Sequence, residues 1–244
     1  MKQDKSRMTP IAKKRLHEEI MEQLKDKIIR GDLKPGSKLP PERELANQLE
    51  VNRTTVREAL HKLESMELIE IKHGNGIFVR DFFESGSLEL AGHILFLNGK
   101  LNIKILRNLL DLRRLLVPEI SYYAALNRSK KDLDELERMV FQSDEILIEE
   151  KDWRVHNIIA RASGNLLFVI LLNSFTGLTK DLSQFYFEIE ENRIRSQKFH
   201  GEIYKAIKRK DSLKAKEIML NVLKFAEEQT LKALGIDIRD TSLI

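Results

Sequence analysis

Residues 52–70, NRTTVREALHKLESMELIE, have the spacing of an amphipathic helix. At 100° per residue, four apolar side chains fall within one arc of about 100°, and four polar side chains fall within a second arc about 120° away. The apolar set is Val56, Ala59, Leu60 and Leu63, and the polar set is Arg53, Thr54, Arg57 and His61. Such a helix packs on one side and presents cations, hydroxyls and an imidazole on the other.

Two further helices are predicted before this one. The first runs from Pro10 to about Arg30 with an apolar stripe of helical period, and the glycine- and proline-rich segment GDLKPGSKLPP (31–41) ends it. The segment ERELANQLE (42–50) predicts a short second helix. The quoted stretch is therefore the third helix of a closely spaced set.

Asn52 has the properties of an N-cap for the third helix. Its side-chain oxygen can accept a hydrogen bond from the free amide of Thr54 or Thr55. The polar arc then begins at a helix N-terminus, where the free amides and the helix dipole favour a phosphate.

The hydrophobic period changes after the third helix. Apolar residues alternate with other residues on both sides of HGNG (73–76), which predicts two short strands joined by a glycine-containing turn. These alternating apolar residues are Ile69, Ile71, Ile77 and Val79. Three helices followed by a β-hairpin is the order of a winged helix-turn-helix, in which the polar arc of the third helix enters the DNA major groove.

Composition divides the chain at about the same place. Residues 1–80 contain 17 Lys and Arg against 13 Asp and Glu, and residues 81–244 contain 25 of each, so the whole excess charge of +4 lies in the first third. This distribution points to an anionic partner for the N-terminal part. The chain lacks cysteine, any apolar run of 18 residues and the apolar core of a signal peptide. We therefore expect a cytoplasmic protein with no membrane-spanning helix.

Beyond residue 80 the sequence predicts a short linker, 81–86, and then an all-helical domain over 87–244 with no strand pair. Pro118 is expected to kink one of its helices, because proline lacks the backbone N–H that continues the hydrogen-bond ladder. The predicted fold is mainly α, with a winged helix-turn-helix domain at 1–80 and a helical bundle behind it.

The segment LKPGSKLPPERELANQLEVNRTTVREALHKLESMELIEIKHGNGIFV resembles the DNA-binding domain of the GntR family of bacterial transcriptional regulators. The resemblance covers roughly residues 10–80 and departs at Pro41, where many relatives have a capping serine. It implies that three arginines approach base edges or nearby phosphates, that polar residues beside the helix N-terminus hold phosphates, and that the wing tip approaches the minor groove. The three arginines are Arg43, Arg53 and Arg57. The polar residues beside the helix N-terminus are Asn52, Thr54 and Thr55, and the wing tip contains His73 and Gly74. The alternative is that Arg57 pairs with a neighbouring glutamate and Arg43 solvates its helix.

The second half resembles the effector-binding (FCD-type) domain of the FadR subfamily within that family, on LRRLLVPEISYYAA, DWRVHNIIARASGN (152–165) and HGEIYKAIKRKDSLKAKEIM (200–219). Members with a metal site use an Asp-x-x-x-His pair and two later histidines. The resemblance implies that Asp152, His156 and His200 bind one divalent ion, Zn²⁺ or similar, while Val222 occupies the fourth position and cannot bind a metal. The alternative is a surface Asp–His pair and an unrelated histidine.

Arg113 matches an arginine that faces the effector cavity in relatives, which suggests an anionic ligand such as a carboxylate. A salt bridge from Arg113 to Asp111 or Glu119 is the alternative. The resemblance implies a regulator, commonly a repressor, that binds a palindromic double-stranded operator as a homodimer under the control of a small-molecule effector.

Two effectors remain open: a small carboxylate beside the metal, or a fatty acyl-CoA without one. A metal-dependent enzyme fused to a DNA-binding head is less favoured. The sequence contains no second Asp, Glu or His cluster, no phosphate-binding glycine loop and no Ser-His-Asp pattern, so no catalytic residue is assigned.

Overall fold

The computed structural model of the protein describes residues 14–97, 99–142 and 145–236. The chain divides into two units, the first ending at Asn102 and the second beginning at Ile103. Within the described residues, no helix combines the length and the apolar character that crossing a membrane requires.

The first unit contains the three predicted helices and the predicted hairpin. A two-residue strand before the second helix joins the hairpin, so that the antiparallel sheet has three strands in the order β1-β3-β2. The elements are α1 (Lys14–Ile29), β1 (Lys38–Leu39), α2 (Glu42–Gln48), α3 (Arg53–Ser65), β2 (Ile69–Lys72) and β3 (Gly76–Val79).

The apolar arc of α3 forms the centre of this unit, as predicted. Its four apolar side chains have no solvent exposure, and α3 packs against α1 and α2. The predicted N-cap is present, because Asn52 Oδ1 accepts the backbone N–H of Thr55 at 2.8 Å. Helix α2 begins after Pro41 without a side-chain cap, as expected for a proline in place of serine.

The wing is a tight hairpin. Residues Ile71 and Ile77 are paired across β2 and β3. The turn uses Gly74 at φ +78° and Gly76 at φ +119°, conformations that residues with a Cβ rarely adopt. A Cβ on Gly76 would also lie 2.4 Å from Cε of Lys38, so glycine leaves room for the end of this lysine side chain to lie over the turn.

The segment after the wing differs from the prediction. The expected linker 81–86 contains a short helix, α4 (Phe82–Ser85), whose N-terminus is capped by Asp81 through the backbone N–H of Phe83 at 3.0 Å. The helix expected at 87–98 is α5 (Leu88–Leu95). The expectation of no strand pair after Ser87 is wrong, because β4 (Phe96–Leu97) and β5 (Lys100–Leu101) form a small antiparallel hairpin. Gly99, at φ +70°, lies in its turn.

The second unit is helical throughout its described part, as predicted. Helix α6 packs against α8 and α11, and α10 packs against α11. Pro118 lies buried inside α6, which continues through it. One helix of this unit ends at Phe141, and the next begins at Ile148. The helices are α6 (Ile103–Asn127), α7 (Lys130–Phe141), α8 (Ile148–Ala162), α9 (Leu166–Glu188), α10 (Glu190–Lys208) and α11 (Ser212–Ala233).

Candidate functional site

The polar arc of α3 is exposed beside the wing. Arg53, Thr54 and Arg57 face solvent, and His73 and Gly74 are exposed at the wing turn. Asn52 is exposed as well, but Thr55 is half-buried, and its hydroxyl donates to Asn52 Oδ1 at 2.9 Å. Thr55 therefore contributes to the helix cap in this state, with its hydroxyl already engaged.

Arg57 forms the ion pair that the sequence left open as an alternative. Its Nε donates to Oε1 and Oε2 of Glu42 at 3.1 and 3.3 Å, and its Nη2 donates to Oε2 at 2.9 Å. The hydrogen bond from Arg57 lowers the pKa of Glu42 below its ordinary value, so that this carboxylate is ionised at neutral pH. Arg43 and Arg53 are exposed and form no hydrogen bond or ion pair with a described residue.

A cavity of about 120 Å³ lies within the helical unit, and Arg113 of α6 lines it. The carboxylates expected as alternative partners are used elsewhere, since Asp111 pairs with Arg114 and Glu119 pairs with Lys216. Arg113 itself forms no hydrogen bond or ion pair with any described residue. Burial lowers the pKa of Arg113 from its ordinary value, with Asp152, Tyr186 and Glu227 acting in the opposite direction. Other lining residues are Leu110, Trp153, His156, Thr176 and Phe187.

The three candidate metal ligands lie together beside this cavity. His200 Nε2 is 2.9 Å from Asp152 Oδ1, and His156 Nε2 is 3.7 Å from Asp152 Oδ2. The hydroxyl of Ser196 also donates to Asp152 Oδ1, at 2.6 Å. The alternative of a surface pair with an unrelated histidine therefore does not describe this geometry, because both histidines are buried against one carboxylate.

This cluster has a defined charge state. Burial would raise the pKa of Asp152, but His156, His200 and the Ser196 hydroxyl together lower it well below its ordinary value. Burial lowers the pKa of His156 to about 4, with Arg113 and His200 reinforcing the shift and Asp152 opposing it. At neutral pH the cluster contains an ionised carboxylate and a neutral His156.

The arrangement does not fit a metal centre as it stands. A histidine that binds a metal commonly donates its second ring N–H to an acceptor, whereas the buried Nδ1 of His200 has no hydrogen-bond partner among the described residues. Its Nε2 is already hydrogen-bonded to Asp152. Val222 adds no ligand, and in the described part of the chain no three His, Asp or Glu side chains are arranged to hold a metal ion. The predicted metal site is not confirmed and stays a prediction.

Sequence reasoning missed three residues of these sites. The sequence indicates only that Glu42 belongs to the second helix, because no local spacing rule links it to Arg57, 15 residues later. Ser196 lies four residues before His200 on α10, an i, i+4 spacing that places both on one helix face and could have indicated the contact. Tyr186 lines the cavity from α9 and carries no motif that distinguishes it.

The first unit presents an exposed helix with cationic side chains beside a wing whose turn contains glycine, and the second unit is helical and contains a cavity. Together these features define a class of protein. That class is the winged helix-turn-helix transcriptional regulators with a helical C-terminal effector domain.

Comparison with known proteins gives the family. Residues 16–79 match the family of "bacterial regulatory proteins, gntR family", and residues 108–225 match the FCD domain. The HTH-type transcriptional regulator Mce2R of Mycobacterium tuberculosis is 31% identical over 176 residues, which cover 69% of this chain and 72% of that protein. The fatty acid metabolism regulator protein of Shewanella oneidensis is 32% identical over 187 residues, which cover 76% of this chain and 78% of that protein. A solved structure described as Streptococcus agalactiae GntR is 26% identical, with a TM-score of 0.46, over 87% of this chain and all of that chain.

The chain belongs to the GntR family of bacterial transcriptional regulators. It has a helix-turn-helix domain and an FCD effector domain, and it is a DNA-binding regulator. The matched families and relatives are regulators and not enzymes, so the alternative of a metal-dependent enzyme is discarded.

Proposed function

We propose that this regulator changes its operator affinity on binding a small organic anion beside Arg113. The observation that carries the proposal is the partly buried guanidinium of Arg113, which lines a cavity and has no ion pair with any described residue. Desolvating a cation without a partner is costly, and a ligand carboxylate offers two parallel hydrogen bonds to a guanidinium. Binding would therefore offset a cost that the free protein already bears.

The size of the cavity favours a short ligand. Its volume of about 120 Å³ is below the roughly 300–1,000 Å³ of pockets that take drug-sized molecules. A fatty acyl-CoA remains the second candidate, because a relative 32% identical to this chain is named a fatty acid metabolism regulator protein. We favour the short carboxylate, since the larger ligand requires the helices around the cavity to move.

Calorimetric titration with a panel of short mono- and dicarboxylates, and separately with a long-chain fatty acyl-CoA, tests this proposal. Arg113→Met should weaken binding of the active carboxylate by about tenfold or more, the value of a charge-assisted hydrogen bond. Arg114→Met is the matched control, because the neighbouring guanidinium pairs with Asp111 and Glu227 and does not line the cavity. Equal losses in the two variants, or binding of the acyl-CoA alone, would overturn the carboxylate proposal.

A divalent metal at Asp152, His156 and His200 is a separate hypothesis. The ionised carboxylate and the neutral His156 are the protonation states that a metal requires, but binding must first break the hydrogen bond between Asp152 and His200. Titration with Zn²⁺ should raise the thermal midpoint, and His156→Ala should abolish the effect while His93→Ala leaves it intact. A midpoint unchanged by Zn²⁺ in the wild-type protein would reject the site.

The DNA-binding mode completes the proposal. Arg43, Arg53 and Arg57 would contact base edges or nearby phosphates, and Asn52, Thr54 and Thr55 would hold phosphates, with the wing tip at His73 and Gly74 in the minor groove.

One winged domain buries little DNA surface, so we infer a homodimer on a palindromic operator, acting as a cytoplasmic repressor of the FadR subfamily. Sedimentation should show two chains per operator duplex.

A further inference from the structure

We infer that Glu42 positions Arg57 for base recognition and thereby helps to set the operator sequence that the protein prefers. The inference rests on the proposed contact between Arg57 and DNA. It starts from an ion pair that joins the first turn of α2 to the exposed face of α3. Both helices are anchored by fully or nearly fully buried side chains, Leu45 and Ala46 on α2 and Val56 and Leu60 on α3.

The ion pair occupies one edge of the guanidinium and leaves the other edge available. Glu42 accepts hydrogen bonds from Nε and Nη2 of Arg57 at 2.9–3.3 Å. The Nη1 atom donates to no described residue, and Nη2 keeps a second hydrogen. This remaining edge presents two parallel donors, which match the O6 and N7 acceptors of guanine in the major groove.

Restraint by Glu42 distinguishes Arg57 from the other two candidate arginines. The side chain of Arg57 is 55% exposed and that of Glu42 is 27% exposed, so the pair lies at the surface where DNA would dock. Arg43 and Arg53 have no hydrogen bond or ion pair with a described residue. The charge of Arg53 contributes to lowering the pKa of Glu42, but no hydrogen bond from Glu42 fixes its orientation. A side chain already held in one orientation loses less entropy on docking, which favours a directional contact with a base. An arginine without such a restraint can contact the phosphates of DNA of any sequence.

Glu42 also disfavours binding to DNA sites that draw Arg57 away from the bases. Its carboxylate is ionised and would lie near the phosphate backbone, where a negative charge is unfavourable unless Arg57 offsets it. At a DNA site whose bases accept hydrogen bonds from Nη1 and Nη2 of Arg57, the ion pair between Arg57 and Glu42 stays intact. A site that draws Arg57 towards a phosphate leaves Glu42 without its partner.

Selection of sites from a randomised double-stranded DNA library by the full-length protein tests the inference. The variants are Arg57→Ala, Glu42→Gln and Glu42→Ala. The control is Glu44→Gln, which makes the same charge change in the same first turn of α2, where Glu44 contacts Gln48 and not Arg57. Circular dichroism would confirm that each variant keeps its helical content.

We expect Arg57→Ala to reduce base preference at particular positions of each half-site by about 10–100-fold. Both Glu42 variants should relax the same positions, by roughly threefold to tenfold, while Glu44→Gln leaves them unchanged. The inference is overturned if Arg57→Ala relaxes those positions and the Glu42 variants do not. It is also overturned if the Glu42 variants only raise the affinity for every sequence equally. In both cases the proposed function stands. If the wild-type protein shows no base preference, or if Arg57→Ala keeps the wild-type preference at every position, the proposed contact itself is wrong.

Discussion

The two units use arginine in opposite ways. Arg57, on the exposed face of α3, has a carboxylate partner on a neighbouring helix. Arg113, partly buried in the helical unit, forms no hydrogen bond or ion pair with a described residue, and Asp152, Tyr186 and Glu227 offset its charge from a greater distance. Solvent alone would stabilise the first cation, so its ion pair adds little energy but fixes an orientation. The second cation bears a desolvation cost that an anionic ligand would relieve. The surface ion pair thus fixes the direction of a side chain, whereas a partly buried cation with no ion pair among the described residues points to a site for an anionic ligand.

The largest expected effect belongs to the surface cation. Arg57→Ala should remove specific operator binding without unfolding the protein, because each lost base contact costs roughly 1–3 kcal/mol and a dimer loses two. Gel-shift titrations would measure it, with Lys62→Ala as the control, since Lys62 lies off the polar arc and its nearest carboxylate is Glu18 at 3.9 Å. Equal affinities for the two variants would show that Arg57 does not enter the groove.

Removal of the carboxylate near Arg113 should have an effect of intermediate size, on stability. Asp152→Asn removes the carboxylate that offsets Arg113 and holds His200 and Ser196, so we expect the free energy of unfolding of the helical unit to fall by roughly 2–3 kcal/mol. Urea unfolding followed by the fluorescence of Trp153, the sole tryptophan of the chain, would measure it. Glu149→Gln makes the same charge change on α8 at the same cavity and should cost much less. A similar loss in both variants would mean that the cavity responds only to net charge.

The smallest effect is the pH dependence of that same unit. Because His156 has a pKa of about 4 in the folded protein and about 6.5 in an unfolded chain, the unfolded state binds more protons between these values. Stability should therefore decrease as pH falls from about 6.5 towards 4, by on the order of 2 kcal/mol. His156→Asn should flatten the dependence, whereas His61→Asn, exposed on α3, should not alter the Trp153 transition. A wild-type stability that does not change across this range would contradict the enclosed, neutral state of His156.

The winged domain was predictable because its signals are local. The cap at Asn52, the four apolar positions of α3 and the glycines of the wing each act within a few residues, and the structure confirms all of them. The hairpin at Phe96–Leu101 was missed because its two-residue strands are too short to show an alternating pattern. The dipeptide Asn98-Gly99 indicated a break in the helical pattern, and it is the sequence signal from which the turn could have been predicted.

The sites depend on pairs that are distant in sequence, which local patterns do not determine. The contact between Glu42 and Arg57 joins two helices, and that between Asp152 and His200 spans 48 residues. The resemblance to a family brought Asp152, His156 and His200 into one cluster, but it did not predict that the carboxylate would be hydrogen-bonded to Ser196 and His200. Those bonds depend on side-chain packing between two helices, α8 and α10.

The point at which the chain divides has a practical consequence for building chimeric regulators. Residues 82–101, including α4, α5 and the small hairpin, belong to the unit that contains the winged domain. Leu90, Ile94 and Leu95 of α5 are almost fully buried. A fusion that joins a foreign effector domain directly after Arg80 would discard these side chains, each of which stabilises by roughly 1.5–3 kcal/mol when fully buried. A junction between Asn102 and Ile103 would keep these side chains with the unit to which they belong.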